Sequence, residues 1–106
     1  MSDRTHRRKL GQNYLIDPVI LFEIERAISP QENNLFFEIG PGMGALTDHL
    51  MGHNIKIIAM DLDPKNIISL SEKFPKVEHE FIHGDVLKES LDFLHKAKHR
   101  VVGNLP

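Results

Sequence analysis

Short apolar runs alternate with amphipathic stretches along most of this chain, and the alternation sets the expected elements. Asp17 is a helix cap with Pro18 behind it in the first helical position. Val19, Ile20, Phe22, Ile24, Ala27 and Ile28 then recur at roughly helical spacing, which predicts a helix over residues 19–28, ended by Ser29-Pro30. Residues 35–39 form a short run of aromatic and branched side chains, the pattern of a buried strand. A glycine turn follows at 40–44, then a helix over 45–51 with Gly52 as its expected cap. The same reading predicts a strand over 55–60, a helix over 65–74 stopped by Pro75, and a strand over 77–83. A helix over 89–98 and a strand beginning at Arg100 complete the series.

Strands alternating with helices imply βαβ units, hence an α/β domain with a parallel sheet and helices on both faces. Ligands in such folds bind beyond the carboxyl ends of the strands. The residues expected there are glycines after the first strand, Asp61 after the second, Asp85 after the third and Asn104 after the fourth. Four polar or glycine positions should therefore converge on one rim.

Composition narrows the class. With 106 residues, 41% hydrophobic and 26% charged, the chain suits one small globular domain. It contains no cysteine, which excludes disulfides and thiolate metal sites. No apolar run approaches the roughly 18 residues that span a bilayer, and the start of the chain has no signal-peptide core, so a cytoplasmic location is expected. The net charge of −2 hides an uneven distribution: Arg4, Arg7, Arg8 and Lys9 cluster near the start, a basic arm suited to phosphates. Residues 1–18 are read as this arm plus a cofactor-contact segment, and 19–106 as the domain proper.

The chemistry of the rim is more specific. Gly40, Gly42 and Gly44 let the backbone bend sharply and approach a ligand closely. Asp61 follows at a distance that suits a carboxylate accepting both hydroxyls of a ribose. Together they point to an adenosine-containing cofactor. Gly40, Gly42 and Ala45 also satisfy a dinucleotide fingerprint, so an NAD-binding dehydrogenase module stands as an alternative. Glu38 disfavours it: a carboxylate at the end of the first strand repels a pyrophosphate and suits a ligand bearing ammonium and sulfonium groups. Asp85 can accept a hydrogen bond from an adenine amino group. The Asn104 side-chain oxygen and the Leu105 carbonyl can accept from a target amine, favouring a more tetrahedral nitrogen in the transition state. His49 and His53, spaced four apart beside Asp48, raise the thought of a metal site, but no further ligand is evident and a surface-helix reading is preferred, with no metal expected.

Gly11-Gln12-Asn13-Tyr14-Leu15, Phe37-Glu38-Ile39-Gly40-Pro41-Gly42, Asp61-Leu62-Asp63, Gly84-Asp85 and Gly103-Asn104-Leu105-Pro106 occur in an order and spacing that resembles the small-subunit rRNA adenine dimethyltransferases. The resemblance covers essentially the whole chain and looks like the front part of a longer family member. It implies a Rossmann-like class I methyltransferase fold, here partial, with about four parallel strands and flanking helices. It implies S-adenosylmethionine as cofactor, contacted by Asn13, Leu15, Gly40, Asp61, Asp85 and Asn104, with Asn104 and Leu105 at the target nitrogen. The implied activity is dimethylation of two adjacent adenines of small-subunit rRNA during ribosome maturation. The implied partners are that rRNA and a pre-30S-type particle, with the basic arm on RNA. Asp61 departs from the glutamate common at its position. The aromatic residue that normally follows Pro106, and stacks on the flipped base, is absent, so the piece alone is expected to be inactive. A small-molecule methyltransferase and a ribosome-assembly binding factor are the other readings. Val101 and Val102 are expected to expose an apolar sheet edge and promote self-association.

Overall fold

The computed structural model describes residues 17–103. Its elements, in chain order, are α1 (Pro18–Ile28), β1 (Leu35–Ile39), α2 (Ala45–Leu50), β2 (Lys56–Asp61), α3 (Pro64–Lys73), β3 (Glu80–His83), α4 (Phe93–Lys96) and β4 (Arg100–Gly103). The four strands form one parallel sheet in the order β3-β2-β1-β4. The winding starts at β1, runs outward through β2 and β3, then crosses back to β4 on the other side. That reversal between β1 and β4 creates the crevice in which such sheets bind ligands.

Local chemistry explains the elements. Asp17 Oδ1 accepts from the Val19 amide at 2.9 Å, and Pro18 opens α1. Asp63 repeats the device for α3, accepting from the Lys65 amide at 2.9 Å with Pro64 in the first turn. Strand β1, apolar except for Glu38, is buried on both faces because both are covered. Phe36 belongs to a core with Leu21, Leu46, Leu50, Ile57 and Ala59, beneath α1 and α2. Phe37 points the other way and meets Phe93 of α4 edge-on at 5.1 Å. Burying each of these phenylalanines fully contributes roughly 2–3 kcal/mol. Phe74, which ends α3, lies 6.3 Å from Phe81 of β3, so α3 shares the α1–α2 face.

Several boundaries differ from those expected. Helix α2 ends at Leu50 with Met51 as its cap, whose amide reaches the Thr47 carbonyl. Gly52 is not the cap, and its backbone is not left-handed. Strand β2 runs one residue later than expected. Strand β3 begins at Glu80, not 77, because pairing with β2 starts at Ile58 opposite Glu80; Val77 is 98% exposed. Helix α4 covers four residues where ten were expected, since 85–89 form a turn on the Asp85 carbonyl and Ala97 is already extended. On β4, which with β3 is one of the two sheet edges among the described residues, only Val101 stands out, 55% exposed; Val102 packs against the core.

Candidate functional site

The carboxyl ends of the strands lie side by side. The Gly40 amide donates to the Met60 carbonyl at 2.9 Å, the Gly84 amide to the Asp61 carbonyl at 3.0 Å, and Gly103 sits opposite Ile39 in register. The strand ends that carry Gly40, Asp61 and Gly84 therefore adjoin one another, with Gly103 beside Ile39. Gly103 is a close-approach position, since a Cβ there would lie 3.1 Å from the Ile39 carbonyl oxygen. Asn104 and Leu105 follow it directly but lie outside the described residues, as do Asn13, Leu15 and the basic arm.

The turn after β1 has Gly40, Gly42 and Gly44 at φ 66°, 58° and 87°, a left-handed succession that side-chain-bearing residues rarely adopt. At Gly44 an added Cβ would come within 2.5 Å of Leu70 Cδ2, so the glycine also lets α3 pack against the turn. At Gly42 no described residue lies within 4 Å of that position, and among the described residues the space beside the turn is open. Asp61 holds the turn in place. Its Oδ2 accepts from the Gly42 amide at 2.8 Å, and its Oδ1 accepts from the Asp63 amide at 2.8 Å and the Asn66 side chain at 3.4 Å. The two motifs read separately in the sequence are thus one unit across 19 residues.

Glu38 lies beneath this unit, 1% exposed. Thr47 Oγ1 in the first turn of α2 donates to its Oε1 at 2.5 Å. Burial pushes the Glu38 carboxyl up from the usual 4.5 to about 7; the Thr47 hydroxyl works against the rise and the Asp61 charge adds to it. Its neighbours in register, Ala59 and Val102, are apolar, and among the described residues the charge that bears on it is the like charge of Asp61. The site therefore holds two buried carboxyl groups with no cation beside them among the described residues.

Asp85 is half-buried, and its Oδ1 accepts from the Leu87 amide at 2.9 Å. It closes its own turn and stands one residue beyond the Gly84–Asp61 contact. Met43, Leu62 and Leu87, on the loops after β1, β2 and β3, expose their apolar side chains around the rim.

Two features went unread in the sequence. Thr47 was hidden as a small polar residue within an apolar helix face; its spacing from Glu38 carries no recognisable motif. Glu25 of α1 is the other. Its two oxygens meet His49 Nδ1 at 2.9 Å and His53 Nε2 at 2.6 Å. Their hydrogen bonds hold the Glu25 carboxyl below its ordinary range, outweighing the opposing effect of burial. The histidines are thus half-buried partners of Glu25, His49 on α2 and His53 just beyond it, and together they clasp α1 to this part of the chain. A groove of about 600 Å³, bordered by Ile55, Phe74 and His79, lies by the amino ends of β2 and β3, away from the rim.

Residues 3–106 match the family model for ribosomal RNA adenine dimethylase. The chain belongs to that family. It is 41% identical over 103 residues to the ribosomal RNA small subunit methyltransferase A of Pseudomonas aeruginosa, covering 94% of this chain and 38% of that protein. The corresponding protein of Aromatoleum aromaticum is 39% identical over 106 residues, covering 100% and 40%. The chain spans about two-fifths of the length of these relatives. Among solved structures, a dimethyladenosine transferase from Plasmodium falciparum superposes with a TM-score of 0.71 at 26% identity, over 85% of this chain and 32% of that one. The 23S rRNA methyltransferase ErmE gives 0.68 at 24% identity and shares the fold. The chain thus has the Rossmann-like methyltransferase architecture.

Proposed function

We propose that the protein containing this chain is an S-adenosylmethionine-dependent dimethyltransferase acting on adenines of small-subunit rRNA. The observation that carries the reading is the pair of buried carboxylates, Glu38 and Asp61, under an open glycine turn with no protein cation facing them among the described residues. A ligand with an ammonium and a sulfonium fits that deficit, whereas a dinucleotide pyrophosphate would meet two like charges. When bound, S-adenosylmethionine supplies a methyl group already activated on its sulfonium.

The chain's own groups account for binding and alignment. Gly40 and Gly42 allow the methionine part to approach the backbone. Asp61 offers the ribose hydroxyls a carboxylate already oriented by the Gly42 and Asp63 amides. Asp85 takes the adenine amine, with Leu62 and Leu87 providing apolar contact to the ring. Asn13 and Leu15 would contact the cofactor. Asn104 and Leu105 would accept from the target amine, favouring a more tetrahedral nitrogen. Proximity and orientation provide most of the acceleration, and no step calls for a strong base. The names of the relatives support rRNA as substrate. The proposal extends to a pre-30S-type particle as the physical target, to the basic arm as an RNA contact and to a cytoplasmic setting.

The test is calorimetric titration of the intact protein with S-adenosylmethionine and with NADH, followed by transfer of labelled methyl groups to undermethylated small ribosomal subunits. Binding of the first, dimethyladenosine in the rRNA and loss of transfer in Asn104→Ala are expected. NADH binding without an S-adenosylmethionine response would reverse the assignment.

A further inference from the structure

Thr47 is fully buried, and its hydroxyl is directed at Glu38 rather than into a helix cap. A buried hydroxyl is costly unless bonded, and valine has the same shape without that cost. Packing alone therefore gives no reason for threonine among Leu46 and Leu50. The hydroxyl has one described partner, Glu38 Oε1, and that carboxylate lies beneath the cradle, influenced by Asp61.

We propose that Thr47 is a positioning residue of the methyltransferase site: its hydroxyl holds the Glu38 carboxylate oriented and ready to face the cationic end of the cofactor. The proposal rests on the cofactor reading above and adds a residue to it. Burial in an apolar strand and the Asp61 charge both drive Glu38 toward its neutral form, and the Thr47 hydroxyl opposes them. No other titratable group acts on Glu38 among the described residues. Its register neighbours Ala59 and Val102 are apolar, Glu25 of α1 is held by two histidines, and Lys73 of α3 faces Asp48. Thr47 thus adjusts how readily the site offers a negative charge, without touching the ligand.

The experiment uses the intact protein and S-adenosylmethionine as the probe, titrated calorimetrically from pH 6 to 9. Thr47→Val should weaken binding about tenfold near pH 7, the scale of one hydrogen bond to a charged group. The deficit should shrink toward pH 9, where Glu38 ionises without help. Thr47→Ser should restore wild-type behaviour, and in a Glu38→Gln background the valine change should have no further effect. If Thr47→Val does not fold, Thr47→Ala must show the same pH-dependent deficit. Wild-type binding unchanged in the valine protein, a pH-independent loss, or a loss that persists beside Glu38→Gln overturns the proposal while leaving the cofactor reading intact. Failure of the wild-type protein to bind S-adenosylmethionine overturns both.

Discussion

Replacing Glu38 by glutamine should make the protein more stable and a poorer cofactor binder, and the first effect should depend on pH in a definite way. The folded chain holds a proton on Glu38 up to about pH 7, against 4.5 for an ordinary glutamate. The native state therefore binds that proton more tightly than the unfolded chain does, and stability falls as pH rises from 4.5 through 7. At about 1.4 kcal/mol per unit, the ionised carboxylate costs roughly 3 kcal/mol above pH 7.5. Glutamine mimics the protonated acid and keeps an oxygen for Thr47. Paired urea denaturation of wild type and Glu38→Gln from pH 4.5 to 8.5 should show near-equal stability at the acid end. Toward pH 8 the variant should gain 1–3 kcal/mol, the lower figure allowing for its extra amide group. Calorimetry should show weaker S-adenosylmethionine binding by the same variant. Curves that stay parallel across the range, or a variant less stable at pH 8, would refute the account of Glu38 as a charge stored at the expense of the fold.

Other perturbations test other parts of the structure. Gly44→Ala places a side chain at φ 87° and within 2.5 Å of Leu70, so thermal or urea melts should register a loss of about 2 kcal/mol or more. Asp61→Ala removes the acceptor for the Gly42 and Asp63 amides; it should cost about 1–3 kcal/mol in stability and reduce cofactor affinity more than Asp85→Ala does, read by denaturation and calorimetry. Glu25→Gln loosens the α1–α2 clasp and should cost about 1 kcal/mol at pH 7. Because the Glu25 carboxyl is held below 4.5, the wild-type advantage should persist above that pH and fade only as the medium becomes more acidic. His79 accepts from the Ile57 amide through Nδ1, and burial, its largest influence, lowers its affinity for a proton below the usual 6.5. That contribution is fully present above pH 6.5 and lost below it, and hydrogen exchange at Ile57 should report the opening.

The alternation of apolar runs and turn residues made the sheet legible, and β1 and β4 appear where the pattern puts them. Their signals are strong because both faces are buried or because a glycine marks the end. The readings that failed depended on partners the sequence does not display. Val77 has a strand-forming side chain, but no residue of β2 lies opposite to pair with it. Residues 89–92 carry helical spacing, yet the Asp85 carbonyl and Ser90 hydroxyl draw nearby amides into turns. At the site, Gly40, Gly42 and Asp61 were legible because glycine and acid occur in a known order along the chain. The Thr47–Glu38 and Glu25–histidine contacts were not, because each joins elements that only the folded sheet brings together.

Arg100 ties two distant stretches of chain. Its guanidinium donates to the Ile28 carbonyl, and also reaches the Ser29 carbonyl at 3.3 Å and Asn34 Oδ1 at 3.2 Å, while stacking over Phe36 at 5.2 Å. These bonds span about 70 residues. A chain emerging from the ribosome in order makes α1 early but cannot fasten its far end until β4 has arrived. Helix α1 and strand β4 are therefore locked together in one late event. Nascent protein should gain the α1–β4 fastening in a single step, not by degrees.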